Sequence, residues 1–193
     1  RARRHPGDPS GHCQRSQETG GSADGAFMLK LLNELFELSL TSHELEALAG
    51  KLGSDCPFFI ENRPLFAEGT GNIFEEISLD LSAWYLLIVK PDIHISTKDA
   101  FSGIQPNVPK KSLKELIKKP LSEWKDNIRN DFEESIFKKF PKTENIKKLM
   151  YESGAIYAQM SGSGASLFGI YAQEPKIPKE FEKYFIYMQK PNG

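Results

Sequence analysis

A run of small residues directly precedes a long pattern of apolar residues. The small residues allow the backbone to pack closely, and the apolar pattern predicts a helix after them. The run is Thr19-Gly20-Gly21-Ser22-Ala23-Asp24-Gly25-Ala26. Glycine and serine let backbone N–H groups approach a ligand closely, and the helix that follows directs the positive end of its dipole to the same place. The run therefore predicts a binding site for a phosphate group. The alternative is a flexible turn that only starts a helix, because a glycine-rich motif by itself is weak evidence.

Two helices are predicted after this run. Apolar side chains recur at helical spacing and predict a buried first helix, and they are Phe27, Met28, Leu31, Leu32, Leu35, Phe36 and Leu38. Thr41 and Glu44 then have the spacing of a capping box. The second helix has a predicted inner face of Leu45, Leu48, Ala49 and Leu52.

Composition limits the class of protein. With 193 residues, 39% of them hydrophobic and 26% charged, the chain is typical of a soluble globular protein with one large domain or two small ones. A net charge of −1 does not indicate nucleic acid as the main partner. Cys13 and Cys56 form neither a disulfide framework nor a metal-binding motif. Since there is no apolar run of the roughly 18 residues that a membrane helix needs, we expect no membrane partner and a cytoplasmic protein.

Residues 1–19 contain almost no apolar side chain, so we expect a disordered segment outside the fold. Asp55 follows a glycine and precedes an apolar segment, a position in which an aspartate often caps a turn. Residues 58–60 and 64–67 have the composition of two short strands, and a linker is expected over residues 69–83.

The second half of the chain alternates irregularly between helical and strand patterns. A continuous apolar strand is predicted over residues 84–89, ahead of Pro91, and Ser96 or Thr97 can cap a short helix. Further helices are predicted at 127–140, 143–151 and 178–183, and further strands at 155–160, 167–171 and 184–188. This pattern indicates an α+β fold whose sheets are covered on one face.

A second small-residue loop, 161–166, lies between two predicted strands. By itself it would be a tight hairpin. Combined with residues 20–26 and with Asp55, however, it supplies what a kinase requires, namely a cradle for charged phosphates and a carboxylate for the acceptor hydroxyl.

Several motifs, in this order, resemble those of the GHMP kinase superfamily, and within it the family of 4-diphosphocytidyl-2-C-methyl-D-erythritol kinases. Residues 20–26 resemble the end of that family's ATP-phosphate loop, and residues 52–59 resemble its catalytic aspartate segment, with 67–71 as the usual sequel. Residues 130–133 resemble its Asn-Asp-hydrophobic-Glu motif, and residues 160–169 resemble its third glycine motif.

The resemblance implies a fold in two parts. Residues 20–82 would be the C-terminal part of an ATP-binding domain that resembles the second domain of ribosomal protein S5. Residues 83–193 would be a ferredoxin-like GHMP kinase C-terminal domain.

The resemblance also implies transfer of the ATP γ-phosphate to the 2-hydroxyl of 4-diphosphocytidyl-2-C-methyl-D-erythritol, in the non-mevalonate isoprenoid pathway, with Mg²⁺ bridging the phosphates. Asp55 would be catalytic and Thr97 would contact the substrate. The residues implied in ATP binding are Gly20, Gly21, Ser22, Ala23, Ser161, Gly162, Ser163 and Gly164. A homodimer is one assembly left open, and a sibling GHMP-type kinase or a non-catalytic binding fragment are the alternative functions.

The chain departs from the family at its start. The family's phosphate loop begins with Pro-x-Gly-x-Gly-Leu-Gly, and residues 15–19 stand in its place. The family's strand with a lysine, and its aromatic-histidine pair beside the substrate, have no counterpart here. We therefore expect residues 1–19 to be an out-of-frame translation joined to a fragment, which the coding DNA can decide. We also expect the 193-residue chain to have negligible kinase activity.

Overall fold

The computed structural model describes residues 20–69, 73–104 and 111–191. Residues 1–19 and the predicted turn at Thr70 and Gly71 lie outside the described residues. The helices are α1 (Gly20–Leu35), α2 (Ser42–Leu52), α3 (Phe58–Glu61), α4 (Thr97–Phe101), α5 (Leu113–Leu116), α6 (Trp124–Asn127), α7 (Phe132–Lys139) and α8 (Pro141–Glu152). The strands are β1 (Leu65–Glu68), β2 (Ile73–Glu76), β3 (Tyr85–Lys90), β4 (Tyr157–Met160), β5 (Leu167–Tyr171) and β6 (Phe185–Gln189). None of the described helices combines the length and apolar character needed to cross a bilayer.

The chain divides into two compact units between Ser78 and Leu79. In unit 1, α1 includes Gly20, the first described residue, so residues 20–26 of the small-residue run are helical and are not a loop ahead of the helix. The predicted capping box of α2 is confirmed. Glu44 N–H donates to Thr41 Oγ1 at 3.3 Å, and Thr41 N–H donates to Glu44 Oε2 at 2.8 Å.

The prediction that α1 is buried is wrong for most of its apolar face. The small core of unit 1 contains Ala26, Leu45, Ala49, Cys56 and Ile60, with Leu29 packed against it. Large apolar side chains outside this core are between 47% and 67% exposed, and they are Phe27, Met28, Leu31, Leu35, Phe36, Leu38 and Leu52. Among the described residues, α2 and α3 cover one side of α1 and leave the other side in solvent.

Residues 58–60 form α3 and not the predicted strand. Phe59 N–H donates to Cys56 O at 3.1 Å and Ile60 N–H donates to Pro57 O at 3.1 Å, so the backbone continues helically out of the preceding turn. An apolar run of three residues cannot distinguish a helix from a strand by its period, and the tertiary contacts of Ile60 decide. The strand predicted at 64–67 is confirmed as β1. The expected linker contains β2, which pairs antiparallel with β1.

Unit 2 contains one antiparallel sheet with the order β4-β5-β3-β6. Counted within the unit, the strand order is 2-3-1-4, which is the ferredoxin-like order read from the other edge. The α+β prediction is therefore confirmed. The predicted helix at 178–183 is a single 3₁₀ turn, Lys179–Phe181, that buries Phe181.

The expectation that this sheet is covered on one face is wrong. One face packs Leu87 and Val89 against α7 and α8, in the larger core. The opposite face packs Tyr157 and Ile170 against Trp124 of α6. The unbroken apolar run of β3 explains this arrangement, since alternate side chains of a strand point to opposite faces and both sets are apolar here.

The helix predicted over residues 127–140 is interrupted. α6 ends at Asn127, Ile128 is extended with φ −110° and ψ 124°, and α7 begins at Phe132. This break leaves Asn130 in an irregular segment, where its side chain is free to reach another part of the sheet.

Replacing two buried tyrosines of unit 2 by phenylalanine should have opposite effects on stability. The Tyr157 hydroxyl has no hydrogen-bond partner among the described residues, and burial raises its pKa. The Tyr171 hydroxyl lies 3.1 Å from Ser153 Oγ and donates to Met150 O at 3.3 Å. Because an unpaired buried hydroxyl is costly, we expect Tyr157→Phe to raise the free energy of unfolding by up to about 1 kcal/mol and Tyr171→Phe to lower it by about 1 kcal/mol. Urea unfolding measures both, and equal destabilisation by the two variants would contradict the prediction.

Candidate active site

Asp55 lies in the turn that connects α2 to α3, and its side chain is exposed. Gly53 N–H donates to Ala49 O at 3.2 Å, and Cys56 N–H donates to Gly53 O at 3.2 Å. Cys56 is only 3% exposed and anchors the turn in the core of unit 1. Ser54 Oγ donates to Asp55 Oδ1 at 3.2 Å. The turn therefore presents a carboxylate to solvent on a backbone that is fixed by its own hydrogen bonds and by the buried Cys56.

The glycine run of α1 lies next to this turn. A Cβ placed on Gly25 would be 3.5 Å from Leu52 Cδ1 and 3.9 Å from Cys56 Sγ, so the helix approaches the turn closely at this glycine. Gly20 is five residues earlier, which is about 7.5 Å along a helix axis. Backbone N–H groups in the first turn of a helix have no intrahelical acceptor, and the helix dipole makes this end positive. In unit 1 the glycine run of α1 thus packs, at Gly25, against the turn that carries Asp55.

The loop 161–166 closes the hairpin between β4 and β5. Ser161 N–H donates to Ser166 O at 2.8 Å, and Gly164 N–H donates to Ser161 O at 3.0 Å. The consecutive N–H groups of Gly162 and Ser163 have no acceptor among the described residues. Gly162 has a φ of 52° and Gly164 a φ of 92°, both in the left-handed region. Adjacent unpaired N–H groups on such a backbone form an anion-binding concavity, which fits a phosphate group.

Thr97 is the first residue of α4, and its neighbour Ser96 caps that helix by accepting from Asp99 N–H at 3.0 Å. The segment before it contacts the glycine loop, since a Cβ on Gly164 would be 2.9 Å from Ile95 Cδ1. Ile95, two residues before the predicted substrate residue Thr97, therefore lies against the second glycine loop.

The Asn-Asp-Phe-Glu motif, residues 130–133, also contacts this region, although sequence analysis predicted no role for it. Asn130 Nδ2 donates to Met160 O at 2.8 Å and to Gly162 O at 2.7 Å. Met160 N–H donates to Glu133 Oε1 at 2.9 Å. The motif was visible in the sequence, but about 30 residues separate it from the loop that it contacts.

The described residues bring no three His, Cys, Asp or Glu side chains together as a metal site. Mg²⁺ binds readily through one or two carboxylates together with the phosphates of a nucleotide. The exposed carboxylate of Asp55 is compatible with that kind of site.

Substitutions in the glycine loop are expected to weaken nucleotide binding. Valine at either glycine would have to adopt a left-handed φ, which costs about 1–2 kcal/mol. Gly162 faces open space, whereas a Cβ on Gly164 would lie 2.8 Å from Met160 Sδ. We therefore expect Gly162→Val and Gly164→Val to lower ATP affinity with the fold largely intact, and Gly164→Val to lower stability more.

The control for these two variants is Gly154→Val. Gly154 also has a positive φ, 101°, and a Cβ placed on it would meet nothing within 4 Å, but it lies in the turn after α8. This variant should lower stability without lowering ATP affinity. Calorimetric titration measures the ATP affinity, and urea unfolding measures the stability. Unchanged ATP affinity in both loop variants would show that the loop is a hairpin with no part in nucleotide binding.

The chain is similar to known kinases. The family model "GHMP kinases C terminal" matches residues 112–186. The 4-diphosphocytidyl-2-C-methyl-D-erythritol kinase of Bacteroides fragilis strain YCH46 is 57% identical over 169 residues, which are 87% of this chain and 62% of that relative. The chain therefore spans less than two thirds of the relative's length.

Solved structures give the same result for the fold. A crystal structure of 4-(cytidine 5'-diphospho)-2C-methyl-D-erythritol kinase superposes with a TM-score of 0.63 at 27% identity, over 79% of this chain and 56% of that one. Homoserine kinase from Cytophaga hutchinsonii superposes with a TM-score of 0.65 at 15% identity, over 94% of this chain and 68% of that one, and supports the fold alone. Residues 112–186 thus match the GHMP kinase C-terminal family, and the chain as a whole is similar to 4-diphosphocytidyl-2-C-methyl-D-erythritol kinases.

Proposed function

We propose that the protein to which these residues belong transfers the γ-phosphate of ATP to the 2-hydroxyl of 4-diphosphocytidyl-2-C-methyl-D-erythritol, a step of the non-mevalonate isoprenoid pathway. The observation that carries this proposal is the close approach of α1, at Gly25, to Leu52 and Cys56 on either side of the turn that presents Asp55. The 57% identity to a relative named as this kinase supports the choice of substrate.

In this proposal Asp55 accepts the proton of the 2-hydroxyl, or orients that hydroxyl, as its oxygen forms a bond to the γ-phosphorus and the bond to the β,γ-bridging oxygen breaks. Gly20, Gly21, Ser22 and Ala23 bind ATP phosphates from the first turn of α1. The proposed ATP ligands of unit 2 are Ser161, Gly162, Ser163 and Gly164. Thr97 contacts the substrate. Mg²⁺ would be held by the ATP phosphates with the exposed carboxylate of Asp55, and it would neutralise part of the negative charge of the phosphates.

The proposal includes two domains, residues 20–82 and 83–193, with residues 1–19 outside them. The boundary between the compact units, after Ser78, supports this division. It also includes a cytoplasmic location, where ATP is available to a metabolic kinase. The exposed apolar side chains of α1 support association with another surface, and a homodimer is one form of it.

A substrate panel tests the function. The protein would be extended at its N-terminus with the residues that precede this segment in a relative, and ATP turnover would be followed in a coupled assay. We expect turnover with the diphosphocytidyl substrate to exceed that with homoserine, mevalonate or galactose by about 10² or more, because a site built to bind polar groups of one substrate rejects compounds that lack them. Highest turnover with another acceptor would identify a sibling kinase, and ATP binding without turnover of any acceptor would identify a binding protein.

A further inference from the structure

The outer edge of β4 is closed by side chains and not by another strand. β4 is the last strand in the order β4-β5-β3-β6, so alternate backbone groups along its outer edge need other partners. At Met160, the last residue of β4, the carbonyl accepts from Asn130 Nδ2 and the N–H donates to Glu133 Oε1. The same Asn130 Nδ2 also donates to Gly162 O, inside the loop.

Each of these two side chains is itself held in place. Asn130 Oδ1 accepts from Phe132 N–H at 2.9 Å, so the amide cannot rotate without losing a bond at both ends. Glu133 is 8% exposed, and its second oxygen lies 2.6 Å from Lys147 Nζ of α8. A continuous set of polar contacts therefore runs from α8 through the start of α7 to the carbonyls on both sides of Ser161.

We infer that Asn130 and the Glu133–Lys147 pair are positioning residues for the loop 161–166. They fix the backbone at Met160 and Gly162, so that the N–H groups of Gly162 and Ser163, which have no acceptor in the described part of the chain, are held in place before a phosphate binds. Donors that are ordered in advance bind an anion at a smaller entropic cost. This inference rests on the proposed function, in which the loop binds ATP.

The chain offers a matched control on the same strand edge. Ala158 lies two residues before Met160 on β4. The Tyr151 hydroxyl accepts from Ala158 N–H and donates to Ala158 O, each at 3.1 Å. Tyr151→Phe removes the same kind of edge contact as a change at Asn130, but Ala158 lies inside β4 and Tyr151 bonds to no residue of the loop.

The primary test is amide hydrogen exchange of Ser161 and Gly164 in the 193-residue chain without nucleotide. Asn130→Asp keeps an oxygen for Phe132 N–H but directs a carboxylate at two carbonyls, and Asn130→Ala is a milder variant for use if the first fails to fold. We expect exchange of these two amides to become about tenfold faster or more in Asn130→Asp, several-fold faster in Asn130→Ala, and unchanged in Tyr151→Phe. Unchanged exchange in the folded Asn130 variants, or an equal increase in Tyr151→Phe, would overturn the inference.

A second measurement separates this inference from the proposed function. In the extended protein, we expect Asn130→Ala to raise the Kd for ATP about tenfold and Tyr151→Phe to leave it unchanged, because only the former disturbs the loop. Faster loop exchange with unchanged ATP affinity would support the positioning role and overturn the assignment of the loop to ATP. Weaker ATP binding without faster loop exchange would overturn the positioning role.

Discussion

Asp55→Asn is expected to lower the turnover number of the extended kinase by about 10² or more and to leave ATP affinity nearly unchanged. The asparagine keeps the size of the side chain but cannot accept the proton of the acceptor hydroxyl. The substitution should not disturb the fold, because the carboxylate is exposed and accepts its hydrogen bond from the hydroxyl of the neighbouring Ser54. Steady-state turnover and ATP titration measure the two effects.

The control is Asp80→Asn. Asp80 is another aspartate with a purely local partner, since its Oδ1 accepts from Ser82 N–H at 2.8 Å and this bond lowers the pKa of the carboxyl group. It lies near the boundary between the units and outside both glycine-rich segments. We expect the Asp80→Asn variant to have the same turnover number as the extended kinase without the substitution. An equal loss of turnover in the two variants would refute the catalytic role of Asp55.

The 193-residue chain by itself is expected to turn over ATP at least about 10³-fold more slowly than the extended protein. Phosphoryl transfer depends almost entirely on positioning and electrostatic stabilisation, and an acceptor that is not oriented loses several kcal/mol of barrier reduction. The chain carries Asp55, but its residues 20–26 resemble only the second half of the family's phosphate loop, and residues 15–19 do not resemble the first half. The apolar face of α1 is also exposed.

A coupled ATP assay with the diphosphocytidyl substrate compares the two proteins. The Asp55→Asn form of the extended protein supplies the background rate, and circular dichroism of the 193-residue chain confirms that its helices are formed. Comparable turnover by the chain and by the extended protein would show that the described residues already hold the acceptor.

Local chemistry predicted the elements that depend on few residues close together in the sequence. The capping box of Thr41 and Glu44 determined the start of α2, because both of its hydrogen bonds are made within four residues. Ser96 similarly starts α4. The apolar run of β3 was recognisable because its composition is incompatible with an exposed strand or a loop. The glycines of residues 20–26 and 161–166, with Asp55, marked the candidate site by residue type alone.

Contacts between distant residues decided the rest. Residues 58–60 became a helix because the turn before them is anchored by Cys56, and residues 73–76 became a strand because β1 supplies the hydrogen bonds. The helical period of α1 predicted an apolar face but not what covers it, and that face is largely exposed. The sequence by itself determined which residues could serve phosphate chemistry. Only the tertiary structure placed Asn130 against the loop 161–166 and Glu133 against Met160 just before it, because hydrogen bonds across about 30 residues depend on how helices and strands pack.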